Sequence, residues 1–428
     1  MDEHPQFTSE PNDQKSNSAV ALSSDEKKSQ VFEAHRWVLR KLLKTLGDPP
    51  VEIELWNGEV ISTSTEPAVA RVRLLDRHVL RKMLANLDPG FGDMYSSGRI
   101  EVEGNLVRLL EVMFRANQPA AWLDWVSRPL KWLKLPRLNK FAKARQNIYH
   151  HYDISNKFYR LWLDEQLVYT CAYFPTPETS LEDAQIAKMD HVARKLRLQP
   201  GEKVIEAGCG WGALSLHFAK HYGVTCRAFN ISREQIAYAR ERAKNEGLAD
   251  RVEFVEDDYR NISGECDKFV SVGMLEHVGL QNYRELGNII NRCLRPDGLG
   301  LIHSISRNFT SPMSPWMEKR IFPGAYIPAL SEITNVFEPH DLSVLDVENI
   351  RLHYAKTLEH WLARFEKVTD QVRDMFDEEF IRVWRLYLAA SEASFTCGIM
   401  QLFQVVFSKG LNNNIPWTRE DIYLSDEK

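Results

Sequence analysis

The sequence predicts an α/β chain: a doubly wound, mainly parallel sheet under a helical cover, preceded by a small α+β unit. Three observations carry this. Short apolar runs alternate with helical patterns from about Val204 to Ile305, the order that builds parallel strands. Gly208, Gly210 and Gly212 directly follow the first of those runs, where a strand must turn sharply into a helix around a ligand. A chain of 428 residues is long for one domain and suits two.

The elements follow in order. Residues 1–28 are rich in Ser, Asp, Glu, Lys, Asn and Gln, a composition expected to stay disordered. Phe32, Trp37, Leu39, Leu42 and Leu43 give Val31–Leu46 a helical spacing. Val51–Trp56 and Glu59–Ile61 flank Asn57-Gly58, a strong hairpin signal. Strands at Ala68–Leu74 and Arg99–Val102, with helices at Arg77–Leu87 and Asn105–Arg115, complete a unit over 29–120. Residues 121–147 form a linker holding Trp122, Trp125 and Trp132. From Arg128 to Gln146, Arg128, Lys131, Lys134, Arg137, Lys140, Lys143 and Arg145 occur without one acid. Such a segment suits an anionic lipid surface. It suits equally a linker packing its tryptophans between domains, because Pro136 and a spacing of three break any single charged face.

The main unit, 148–428, starts its sheet at Val204–Ala207. Further strands are expected at Val224–Ile231, Val252–Val255, Lys268–Gly273 and Gly300–Ile305, with a helix from Gly212 to about His221 and another over Ser232–Asn245. The ligand of such a sheet sits at its carboxyl edge, where Glu276 and His303 fall. A long insertion over 307–350 and aromatic helices from Val368 to Val406 cover that edge.

The glycine spacing is G-x-G-x-G, whereas a dinucleotide site reads G-x-G-x-x-G with an acid some 20 residues on. Here the second run ends in Phe229-Asn230-Ile231-Ser232, which argues against a nicotinamide dinucleotide. The turn resembles that of class I methyltransferases binding S-adenosylmethionine. At the third strand end, Asp258 is placed to accept from an adenine amine and Tyr259 to pack on the ring. A net charge of −5 gives no nucleic-acid signal. No apolar run of spanning length exists, and the polar, acidic N-terminus does not read as a secretory signal. Six cysteines without paired spacing read as reduced thiols of a cytoplasmic protein. Scattered histidines predict no metal.

Several separated motifs then fall in register: Tyr149–Asn156, Tyr169–Phe174, Glu206–Gly212, Met274–Gly279, Pro323-Gly324 and Gln404–Phe407. Together they resemble the cyclopropane fatty acid synthase family over roughly 147–410. Leu87–Asp93 and Gly98–Gly104 more weakly resemble the N-terminal domain of its phospholipid-acting members. The resemblance implies methylene transfer from S-adenosylmethionine to unsaturated phospholipids at the inner face of the membrane, by a peripheral enzyme and a homodimer. It implies a bound bicarbonate as base, held by Glu276, His303, Tyr354 and the backbone near Cys171. The candidate cofactor contacts are Tyr169, Thr170, Gly208, Gly210, Gly212, Asn230, Ile231, Gln235, Asp258 and Tyr259. Singly, His303 also reads as a core histidine and Cys171 as an inert thiol; their joint order lifts them. Ser391 stands where many relatives have a cysteine, and Glu392 is an added acid, which leaves a methylene- or methyl-branched product open. A lipid-binding protein with an inactive core is the rival from another class, disfavoured by the intact glycine turn.

Overall fold

The computed structural model describes residues 33–85, 87–116 and 156–423. The tail 1–28, the linker 121–147 and the motif residues 149–155 lie outside the described residues.

Between residues 33 and 116, strands β1 (Val51–Glu54), β2 (Val60–Ile61), β3 (Ala70–Leu74) and β4 (Ile100–Gly104) form a sheet in the order β2-β1-β3-β4. β1 and β2 make the expected hairpin, with Gly58 at φ +84° supplying the left-handed turn position. Alternation sets the faces. Ala70, Val72 and Leu74 are buried, while Arg73 turns outward to Glu54, Glu101 and Glu103. Helices α1 (Glu33–Thr45), α2 (Arg77–Ala85), α3 (Leu87–Ser96) and α4 (Leu106–Ala116) complete this part.

Helix α3 was not expected; the sequence placed one helix over Arg77–Leu87 and none after it, where Pro89, Gly90 and Gly92 follow. The glycines serve close approach instead. A Cβ on Gly90 would lie 2.5 Å from the Lys82 carbonyl oxygen, and one on Gly92 2.4 Å from the Trp316 indole.

In the second part, β5 (Lys203–Ala207), β6 (Thr225–Asn230), β7 (Val252–Glu256), β8 (Cys266–Val272), β9 (Leu294–Ser306), β10 (Leu342–Asn349) and β11 (Gln401–Lys409) form one sheet, ordered β10-β11-β9-β8-β5-β6-β7. β5 to β9 are parallel, and β11 enters antiparallel between β9 and β10. Strand order reverses between β5 and β8, and such a switch point opens a crevice at the strand ends. Helices α5 (Leu181–Leu196), α6 (Ala213–Tyr222), α7 (Arg233–Asn245), α8 (Tyr283–Cys293), α9 (Arg351–Lys367) and α10 (Glu378–Thr396) flank the sheet.

The aromatic helices end at Thr396, and residues 401–409, expected to be helical as far as Val406, form β11. Gly398 at φ +74° stops the helix. β11 is buried on both faces as far as Ser408, so no alternation marks it as a strand. The insertion 307–350 likewise ends in a strand, β10.

The two parts meet at α10. Arg382 donates to the carbonyls of Tyr95 at 2.6 Å and Ile100 at 2.5 Å. Arg320 pairs with Asp93 at 3.1 Å.

Candidate active site

A cavity of about 200 Å³ opens at the switch point. Its floor is the turn after β5. Gly208 sits at φ +87° with Met274 only 2.9 Å from a Cβ position, whereas Gly210, at φ +53°, has nothing within 4 Å of its Cβ position. Gly208 is therefore demanded by packing, and Gly210 leaves room beside the backbone. At the end of β6, Asn230 Nδ2 donates to the Gly210 carbonyl at 3.2 Å and to Gln235 Oε1 at 2.7 Å. This amide pair occupies the strand end where a dinucleotide site would carry an acid.

Ten of the fourteen expected residues line the cavity: Tyr169, Thr170, Cys171, Gly208, Gly210, Asn230, Gln235, Glu276, His303 and Tyr354. Gly212, Ile231, Asp258 and Tyr259 are not among its lining residues. Gly212 caps α6 at φ +86°, and a Cβ there would lie 2.5 Å from the Phe254 ring. Asp258 caps a short turn by accepting from Arg260 N at 3.0 Å, and Tyr259 packs below Arg260. Ser391 and Glu392 also lie outside the lining. Glu392 is pushed up to about 7, chiefly by burial and then by the like charges of Glu359 and Glu111.

The cavity's polar wall comes from three strand ends. Glu276, just beyond β8, accepts from the Ile305 amide at 2.6 Å through Oε1. Its Oε2 is buried without a partner among the described residues. Burial pushes this carboxyl up to about 7. His303 on β9 is pulled down to about 3 by burial, so its ring is neutral. Gln404 Nε2 lies 3.2 Å from His303 Nδ1; with the amide donating, the ring keeps its proton on Nε2. The Cys171 thiol donates to the Ala172 carbonyl at 3.0 Å, and burial raises it far above the reactive range. Ala172 N donates to Thr357 Oγ1 at 3.0 Å, and Phe174 N to His353 Nδ1 at 3.0 Å. These two bonds fasten the Tyr169–Phe174 segment to α9, the helix that carries Tyr354.

The apolar wall is aromatic. Tyr169 and Tyr387 share a hydroxyl hydrogen bond of 2.8 Å. Behind them Trp162, Trp361 and Trp384 are buried, with Trp361 5.2 Å from Tyr169 and Trp384 5.3 Å from Tyr387. Phe322 from the insertion stands edge-on to Tyr387 at 5.6 Å. The insertion is tied down by Tyr326 N, which donates to the Glu276 carbonyl at 2.8 Å.

Sequence reasoning missed Lys188, Glu206 and His277 as lining residues and Gln404 as the partner of His303. Glu206 closes β5, accepts from the Ser215 hydroxyl, and is pushed up to about 7 by burial. Lys188 is pulled down to about 8 by burial. The Gln404–Phe407 motif was visible, but its partner lies on another strand, which only the β9–β11 register reveals.

Compared with known proteins, residues 139–405 match a family described as mycolic acid cyclopropane synthetase. Residues 38–121 match one described only as a domain of unknown function. A probable fatty acid methyltransferase of Pseudomonas putida is 34% identical over 87% of this chain and 96% of its own. The cyclopropane-fatty-acyl-phospholipid synthase of Escherichia coli (strain K12) is 34% identical over 81% of this chain and 90% of its own. The solved structure of mycolic acid cyclopropane synthase CmaA1 complexed with SAH and CTAB superimposes with a TM-score of 0.60 at 29% identity. It covers 64% of this chain and 99% of that one.

Proposed function

The chain belongs to the mycolic acid cyclopropane synthetase family and is an S-adenosylmethionine-dependent methyltransferase; from that premise we propose that it converts a cis double bond of an unsaturated phospholipid acyl chain to a cyclopropane, with a bicarbonate ion as base. The observation that carries the reading is the unpartnered Glu276 Oε2, buried in one cavity with His303, Tyr354 and Cys171.

The residues fit both groups. The space beside Gly210 and the Asn230–Gln235 amides suit the cofactor, which Tyr169 and Thr170 would help to hold. A buried acceptor lacking a donor suits an anion that carries its own O–H. When bound, S-adenosylmethionine supplies an electrophilic sulfonium methyl and bicarbonate supplies the base. An alkene that attacks a methyl is left with a carbocation and no lone pair to quench it. The wall of Tyr169, Tyr387 and Phe322 excludes the water that would trap this cation, and its ring faces stabilise positive charge. Were bicarbonate bound, ionised Glu276 would accept from its hydroxyl, and His303 Nε2–H and the Tyr354 hydroxyl would donate to its oxygens.

The proposal includes a cytoplasmic enzyme working at the inner face of the membrane as a homodimer. In it, 29–120 is a lipid- and substrate-binding domain, 121–147 a linker and 148–428 the methyltransferase domain. In support, Arg128–Arg145 is basic throughout, and no helix among the described residues is long and apolar enough to cross a membrane. Binding to anionic vesicles should weaken as salt rises; salt-independent binding would count against the surface.

The deciding experiment incubates the protein with S-adenosylmethionine and unsaturated phospholipid vesicles, then takes proton NMR of the extracted lipid. Upfield ring-methylene signals are expected, and unchanged lipid would sink the proposal. Two relatives carry the name probable fatty acid methyltransferase, which favours a branched acyl product as the second reading. Vinylidene signals, or a methyl doublet, would establish it.

A further inference from the structure

Helix α5 carries two buried lysines two turns apart, Lys188 at 2% and Lys195 at 3% exposure. The charge of Lys195 is answered within the protein. Its Nζ lies 2.5 Å from Glu348 Oε2, which also takes His191 Nε2 at 2.7 Å. Lys188 is different. Among the described residues its ammonium makes one hydrogen bond, to Thr170 Oγ1 at 3.2 Å, and has no carboxylate within 4.0 Å. Three N–H donors and a full charge are thus buried with one partner, a costly arrangement unless a ligand completes it. Asp164, Cys171 and Glu206 face it from farther off and favour its charged form, while burial opposes that form.

Lys188 is also the one lysine or arginine among the cavity's lining residues, beside two carboxyls, Glu206 and Glu276. The two lining histidines are held neutral by burial, His303 at about 3 and His277 at about 4. An anion entering the cavity would meet like charge on Glu206 and Glu276, and Lys188 alone supplies the opposite sign.

We propose that Lys188 is an anion-binding residue of this cavity, its ammonium receiving with Thr170 a small carboxylate-type oxyanion. The inference rests on the reading above, in which that oxyanion is either the carboxylate of the cofactor or bicarbonate.

The test compares wild type with Lys188→Met and Lys188→Gln, each checked for folding by circular dichroism and thermal melting. Calorimetry measures S-adenosylhomocysteine and 5′-methylthioadenosine, which lacks the amino-acid part. Turnover is followed against bicarbonate concentration. Loss of a charge-assisted bond in a buried site weakens binding about 10- to 100-fold. If the cofactor's carboxylate is the ligand, S-adenosylhomocysteine weakens by that factor and methylthioadenosine does not. If bicarbonate is the ligand, cofactor affinity holds and half-saturation by bicarbonate rises by that factor. Both readouts within twofold of wild type in a folded variant would overturn the inference. Full recovery in Lys188→Gln, which keeps a donor for Thr170, would overturn it too, since charge would then be unnecessary. If Lys188→Met does not fold, Lys188→Gln carries the comparison. A wild type that binds no S-adenosylhomocysteine would instead overturn the methyltransferase reading, and this inference with it.

Discussion

Two buried polar clusters lie within reach of helix α5, and they are built on opposite principles. Around Glu348 every charge is answered. Lys195 and His191 meet one carboxylate oxygen, and the Tyr423 hydroxyl donates to the other at 2.9 Å. Around Glu276 the accounts stay open. Its Oε2 lacks a partner, Lys188 lacks a carboxylate, and Gln404 Oε1 is buried unsatisfied. A closed cluster can only hold the fold, whereas an open one is poised to gain when a ligand arrives. His191 Nδ1 is the one atom of the Glu348 cluster buried without a partner among the described residues; what separates the two clusters is whether their charges are paired.

The contrast breaks most visibly under Glu348→Gln. Removing one partner of a buried ion pair costs about 3–5 kcal/mol, measured by urea unfolding, while activity per folded molecule stays near wild type. In the folded chain Lys195 and His191 hold the Glu348 carboxyl well below the usual range, against its burial. The stability it adds is therefore complete above its unfolded value, about pH 4.3, and is lost as acid approaches the folded value. The variant and wild-type curves should converge in acid.

Glu276→Gln should do the reverse. Turnover falls about 100-fold while melting temperature and S-adenosylhomocysteine affinity hold. With its carboxyl near 7, wild-type activity should rise between about pH 6 and pH 8 as Glu276 ionises, and the variant should lack that limb. A limb that persists would move the titration to Glu206, raised to the same value.

Two glycines sharpen the comparison further. Gly212→Ala forces a Cβ against Phe254 at 2.5 Å from a strained φ and should cost about 1–3 kcal/mol of stability. Gly210→Ala meets no neighbour, so only its φ of +53° strains it, at about 1–2 kcal/mol, and it should in addition weaken S-adenosylhomocysteine about tenfold, which Gly212→Ala should not. Equal behaviour of the two would erase the distinction between packing and ligand glycines. Smallest of all, Ser391→Cys should alter turnover less than about twofold, since Ser391 is absent from the cavity lining.

Most of the sheet was legible because strands β5 to β9 are short apolar runs separated by helical patterns. Where the reading failed, tertiary contact had overridden the local signal. Helix α3 hid behind glycines kept for Lys82 and Trp316, and β11 hid because both its faces are buried. In the site, the four residues expected around the anion line one cavity, each of them belonging to a separate sequence motif. Lys188 could not be read. It sits on the same helical face as Leu181, Ala184 and Val192, and nothing local separates a lysine aimed into a cavity from one lying at its rim. Asp258 read as an adenine partner because an acid at a strand end is plausible there; in the structure its Oδ1 caps the following turn.

The aromatic wall has an optical consequence. Trp162 lies 5.8 Å from Trp361 and 5.9 Å from Trp384, close enough for excitation to pass among the indoles. Through Tyr159, at 5.8 and 5.1 Å, the chain of rings reaches Trp211, which lines the cavity. Buried as they are, these indoles should emit toward the blue, and exposed Trp37 and Trp417 toward the red. A molecule settling beside Trp211 and Tyr387 thus alters the light from tryptophans it never touches, and the cavity carries its own reporter of occupancy.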